Sequence, residues 1–144
     1  GEPPRPTPPG KGRLLWPLLY TLLILALSSI PGSPPDPREA GTSLGLLLPA
    51  SLQNLLHIPL FTGLTLTWHF GLTGWHLGGW RRDGLAAGLS LGTGILDEWH
   101  QAFVPGRFPS ATDVMLDSVG IGLALGVLVW IGHHQAHRPG GRRW

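Results

Sequence analysis

The sequence predicts an all-α integral membrane protein, a four-helix bundle with both termini in the cytoplasm. Three observations predict it. Apolar residues are clumped into four long runs, basic residues fall almost wholly into alternate connections, and four acids sit within or beside the apolar runs. With 42% hydrophobic and only 12% charged residues, and a mean hydropathy of +0.15, the chain is too apolar for a typical soluble domain carrying 15 prolines.

The runs come in order. Residues 14–30 hold no charge, 55–77 hold only histidines, 84–96 hold no charge and continue through an acidic stretch to 104, and 114–131 hold only Asp117. Each is about 17 to 25 residues long, which at ~1.5 Å per residue spans a hydrocarbon core of ~30 Å. A cleaved secretory leader explains the first run alone, and three further runs exclude it as the whole account. Residues 14–132 therefore form the membrane domain. Residues 1–13, rich in proline and opening on Gly1 as processing or an upstream extension would leave them, are expected to be a disordered tail. Residues 133–144 are a basic His/Arg tail. The connection 31–54 is proline-rich, with an apolar island at 44–48 too short to span and expected to lie on the outer membrane surface.

Orientation follows from the basic residues. Arg5, Lys11 and Arg13 precede the first run, Arg81 and Arg82 separate the second from the third, and Arg138, Arg142 and Arg143 follow the fourth. Only Arg38 and Arg107 fall in the other connections. Under the positive-inside rule both termini are cytoplasmic, and Trp16, Trp75, Trp80 and Trp130 fall at the same interface. The absence of cysteine removes disulfides and thiolate metal sites. No phosphate-binding loop, zinc signature or serine nucleophile elbow is present, so neither cofactor nor metal is expected. Nucleic acid is not an expected partner, since the net charge is only +2 and the arginines flank the apolar runs.

The chemistry concentrates in Asp97-Glu98-Trp99-His100-Gln101, Val104-Pro105-Gly106-Arg107, Asp113 and Asp117. An ionisable side chain at the centre of a membrane helix costs roughly 2.5–3.5 kcal/mol on insertion scales, so it survives with a partner, a polar cavity or a task. The predicted topology gathers these groups in the outer leaflet. His57 lies in the first turn of the second helix beside Pro59, Glu98 lies roughly 8–9 Å below the outer end of the third, and Asp113 opens the fourth with Asp117 one turn deeper on the same face. Glu98 and Gln101 share a face, whereas Asp97 points about 100° away. Glu98 is therefore expected inward, with Asp97 and His100 nearer an edge or the outer water. The Pro-Gly turn returns Arg107 over the helix ends, and its planar fork predicts a Glu98–Arg107–Asp113 network. The candidate ligand-binding set is His57, Glu98, Gln101, Arg107, Asp113 and Asp117, with Glu98, His57 and Asp113 the candidates for catalysis. The alternative is a structural polar clasp that closes one end of the bundle.

Small residues four apart, Gly88 and Gly92, Ser90 and Gly94, Ser118 and Gly122, and Gly122 and Gly126, let helix backbones approach closely. They predict packing of the third and fourth helices on each other or on a partner subunit. His69 and His76 are read as hydrogen-bonded inside the bundle. His133, His134 and His137 are read as a solvated basic tail, having no acid or cysteine beside them to complete a metal site.

Glu98-x-x-Gln101, Pro105-Gly106-Arg107, Asp113 and Gly120, with the segment 55–61 in which a helix opens on His57, resemble the VanZ-like family of small integral membrane proteins. The resemblance covers about residues 52–126. Gln53 and Asn54 stand where the family commonly has Asp-Lys, and Asp117 where it often has asparagine. The extra acid implies either a retained proton or a held cation, since like charges in close quarters disfavour joint ionisation. The resemblance implies a multi-pass protein of the bacterial cytoplasmic (inner) membrane, associated with lowered sensitivity to teicoplanin-like lipoglycopeptides. Beside the lipid bilayer itself, the expected partners are a lipid or lipoglycopeptide ligand. Two other classes stay open at this point, an accessory subunit of a larger membrane complex and an enzyme acting on a lipid-linked substrate.

Overall fold

The computed structural model describes residues 10–31 and 50–137. Most of the N-terminal tail, the apolar island at 44–48 and the last arginines lie outside the described residues. A 3-10 turn, Lys11–Leu14, leads into α1 (Leu15–Ser28); the short α2 (Ala50–Leu55) precedes α3 (His57–Gly71), which runs into a second 3-10 turn, Leu72–Gly74; α4 (Gly79–Gln101) and α5 (Ala111–Ala136) follow. The described residues contain no strand. Pro17 and Pro59 are each the third residue of their helix, where a missing N–H leaves no helical bond unmade.

The long helices alternate in direction. Arg13 donates to Thr73 Oγ1 at 3.0 Å and Tyr20 donates to the Leu60 carbonyl at 3.0 Å, so the start of α1 meets the end of α3. Ser110 N donates to Glu98 Oε2 at 2.7 Å, which sets the end of α4 beside the start of α5. α3 and α5 run the same way, with His57 against Asp117 and Thr62 against Gly120.

α3 is the central helix. Its buried residues Phe61, Leu64, Thr65, Trp68 and Gly71 follow the three-and-four spacing of one helical stripe, and they pack with Ile24, Ala86 and Ile121. Two glycines set how closely its neighbours approach. A Cβ on Gly71 would stand 2.9 Å from Pro17 Cγ, and one on Gly120 would meet the α3 backbone at Ile58 and Thr62. Thr62 Oγ1 closes the second contact, 2.8 Å from the Ile58 carbonyl and 2.9 Å from that of Gly120.

Two expectations change here. α5 is the one described helix long and apolar enough to cross a membrane, and Gly12–Ser28 is apolar but shorter. The second run breaks at Gly71 into the 3-10 turn and a connection where His76 holds φ 45°, while α4 begins at Gly79 and carries Arg81, Arg82 and Asp83 in its first turns. Of the small-residue rows, Ser90 and Gly94 are buried, Gly94 against Asp117 and Phe61; Gly88, Gly92, Gly122 and Gly126 face open space.

Candidate functional site

The turn between α4 and α5 is the site's hinge point. Pro105 and Gly106 occupy its centre, Gly106 with φ 73°, and Arg107 N donates to the Val104 carbonyl at 3.1 Å. Proline suits the first central position and only glycine enters the positive-φ second position without steric cost, so the sequence specifies a type II turn. α5 then starts on Ser110, whose side chain accepts from Thr112 N at 3.2 Å, and Asp113 in the first turn meets the positive end of the helix dipole.

Four carboxylates are buried at this end of the bundle. Asp97 is 3% exposed, Glu98 7%, Asp113 9% and Asp117 1%. Their partners differ. Asp117 Oδ1 accepts from His57 Nδ1 at 2.7 Å, and His57 stacks on Phe61. Asp97 is held on both oxygens, by the Ser28 hydroxyl on one and Gln101 Nε2 at 3.0 Å on the other. Glu98 accepts from the Ser110 amide with Oε2, while its Oε1 is buried without a hydrogen bond. Asp113 Oδ1 is likewise buried and unbonded.

Arg107 does not complete the expected network. Its Nε donates to the Ile30 carbonyl at 3.1 Å, and the ion pairs among the described residues are His57–Asp117 and His69–Asp83. The physical reason is the turn, which directs the guanidinium toward the exposed carbonyls at the end of α1. A helix C-terminus is a good place for a cation, because its last carbonyls lack helical donors. Asp97 also departs from expectation by facing inward. The signal was its i, i+4 relation to Gln101; no sequence signal points to Ser28, the last residue of an apolar helix.

His57, Asp97, Gln101, Arg107 and Asp113 line a cavity of about 340 Å³, whose lining does not include Glu98 or Asp117. Ile24, Leu27, Leu56 and Leu60 give the lining apolar surface, and Asp97, Gln101, Arg107, His57 and Asp113 give it polar groups. The cavity thus offers an apolar side, hydrogen-bond acceptors, a guanidinium and an imidazole together. Among the described residues no group of three or more His, Asp or Glu side chains is arranged to hold a metal ion. His100 lies outside the cavity, its Nε2 2.8 Å from Ser29 Oγ.

Comparison with curated proteins gives no match, and neither does comparison with solved structures. The family model described as VanZ/LLP1 matches residues 17–132, a stretch that runs from the buried Pro17 of α1 through every site residue to the last turns of α5. The chain therefore belongs to the VanZ/LLP1 family.

Proposed function

We propose that this chain is a multi-pass protein of the bacterial cytoplasmic membrane, with both termini in the cytoplasm, that binds the polar head of an amphiphilic envelope component in the outer leaflet. Through such binding it lowers sensitivity to teicoplanin-like glycopeptides, as its family suggests. The membrane part rests on an inverted distribution of polarity. The acids of the site are buried, whereas Leu22 is 61% exposed, Leu123 53% and Trp130 63%. Exposed apolar side chains in such number belong against lipid or another protein. Trp16, Trp75, Trp80 and Trp130 ring one end of the bundle and Trp99, Phe103 and Phe108 the other, all exposed, as aromatic belts at two headgroup levels would be. Short helices such as α1 and α3 are accommodated by local thinning of the bilayer.

The single observation that carries the binding role is the mixed apolar and polar lining of the cavity. An amphiphile's head needs polar partners and its first methylenes need an apolar wall, and the cavity has both. The exposed rows Gly88–Gly92 and Gly122–Gly126 favour a second reading, an accessory subunit whose partner covers them.

Glu98→Gln separates the two. Glutamine keeps an oxygen for the Ser110 amide but removes the charge, so the variant is expected to insert and melt like the wild type. Glu98 does not line the cavity and bears on it through its charge, so the variant is expected to lose both the glycopeptide phenotype in cells and lipid or lipoglycopeptide binding by the purified protein, with Gln101→Ala, in the lining itself, losing part of each. Full activity and binding in Glu98→Gln would make the motif architectural and put the subunit reading in its place.

A further inference from the structure

Two opposite charges line the same cavity and do not pair with each other. Arg107 reaches it from the turn and Asp113 from the first turn of α5. Among the described residues no carboxylate oxygen lies within 4.0 Å of the Arg107 guanidinium, whose hydrogen bond runs from Nε to Ile30, and Asp113 Oδ1 is buried with no donor. The neighbouring acids do not satisfy these groups: Asp97 is held on both oxygens, Asp117 is paired with His57, and Glu98, bonded to the Ser110 amide through Oε2, has an Oε1 as buried and unbonded as Asp113 Oδ1. A buried acceptor without a donor, on a residue lining a cavity that also holds a cation with no carboxylate partner among the described residues, is the imprint of a ligand with the converse pair of groups.

We infer that the cavity receives a zwitterionic phosphate–ammonium head group, with the phosphate on Arg107 and a primary ammonium on Asp113. This rests on the amphiphile reading above and names the chemistry of the head. A phosphate matches the planar fork of the guanidinium, whose remaining N–H donors have no acceptor among the described residues. An ammonium bearing N–H bonds can donate to the Asp113 carboxylate that lines the cavity, and a quaternary choline-type ammonium cannot. A purely anionic head such as phosphoglycerol brings nothing for Asp113 and faces four buried acids. The volume, about 340 Å³, lies at the small end of ligand cavities (~300–1,000 Å³) and suits a phospholipid head rather than a whole glycopeptide. Leu27 and Leu56 line the cavity and are also exposed on the outer face, so acyl chains leave between α1 and α3.

The test is calorimetric titration of the full chain in mild detergent with four probes: dihexanoyl phosphatidylethanolamine, phosphatidylcholine and phosphatidylglycerol of the same chain length, and free phosphoethanolamine. The ethanolamine lipid is expected to bind at least tenfold more tightly than the other two lipids. Asp113→Asn is expected to abolish that preference, and Arg107→Gln to weaken the ethanolamine and choline lipids alike. If a variant fails to fold, the ranking of probes on the wild-type protein decides alone. Equal binding of the three lipids, or tightest binding of the glycerol lipid, overturns the zwitterion and leaves the amphiphile reading standing. Free phosphoethanolamine binding as tightly as its lipid supports the head-group chemistry and sinks the amphiphile reading. Absence of binding by every probe overturns both.

Discussion

Each end of the bundle carries a histidine of α3 bonded to an aspartate of a neighbouring helix, and the two bonds are nearly equal in length. His57 Nδ1 lies 2.7 Å from Asp117 at one end and His69 Nδ1 lies 2.6 Å from Asp83 at the other. Their surroundings differ. The Asp117 side chain is 1% exposed and sits among three other buried acids, while that of Asp83 is 27% exposed beside Arg81 and Arg82. The same pairing thus does two jobs. At the site end it compensates a carboxylate that water cannot reach; at the basic end it ties two helix termini near a surface where water screens both partners.

The largest expected effect breaks this contrast or establishes it. His57→Ala leaves Asp117 buried and unpaired, and one-sided loss of a buried pair costs about 3–5 kcal/mol. His69→Ala leaves an aspartate that reaches solvent, where exposed pairs contribute about 0–1 kcal/mol. Thermal melting of both variants in one mild detergent is expected to rank His57→Ala far below His69→Ala. Equal losses would mean that burial does not distinguish the two ends.

A smaller effect sharpens the same comparison through the backbone. Gly120 lies one turn below Asp117 and meets Ile58 and Thr62 of α3 directly, so the Cβ in Gly120→Ala can be relieved only by moving a helix. Overpacking of that kind costs about 1–3 kcal/mol. Gly122, two residues on, faces open space, and Gly122→Ala is expected to be neutral or slightly stabilising in detergent. Destabilisation by Gly122→Ala confined to native membranes would point to a partner packed on that face, as the subunit reading requires.

What the sequence made legible follows from local rules. Helical periodicity, the Pro105-Gly106 turn and the i, i+4 step from Asp113 to Asp117 depend on neighbours within a few residues. The convergence of His57, Glu98, Asp113 and Asp117 at one end needed only the alternation of helix directions. Illegible was which long-range partner each group takes. Asp97 turns inward because Ser28 of α1 supplies a hydroxyl, 69 residues away in the chain. Helix lengths were misread for a related reason: hydropathy does not register that Gly71 ends α3 early or that α4 continues helical through Arg81 and Arg82. Family membership was legible because the residues that carry it are those of the turn and the site.

A small expected loss of stability bears most directly on the charges left unpaired. Were Arg107 neutralising Glu98 and Asp113, Arg107→Ala would strand two buried carboxylates and cost about 3–5 kcal/mol, with lysine rescuing poorly. The geometry instead gives Arg107 one hydrogen bond to the Ile30 carbonyl, and loss of such a bond costs about 0.5–1.5 kcal/mol, or up to about 3 where the donor is charged. The bond is only part-buried, so water replaces some of what is lost and the lower figure applies. Arg107→Ala is therefore expected to melt close to the wild type, well above His57→Ala. That ordering matters beyond stability. A guanidinium that contributes little to the fold while lining a cavity beside an unbonded Asp113 is available to a ligand, whereas a melting loss as large as that of His57→Ala would show the charge already spent inside the protein.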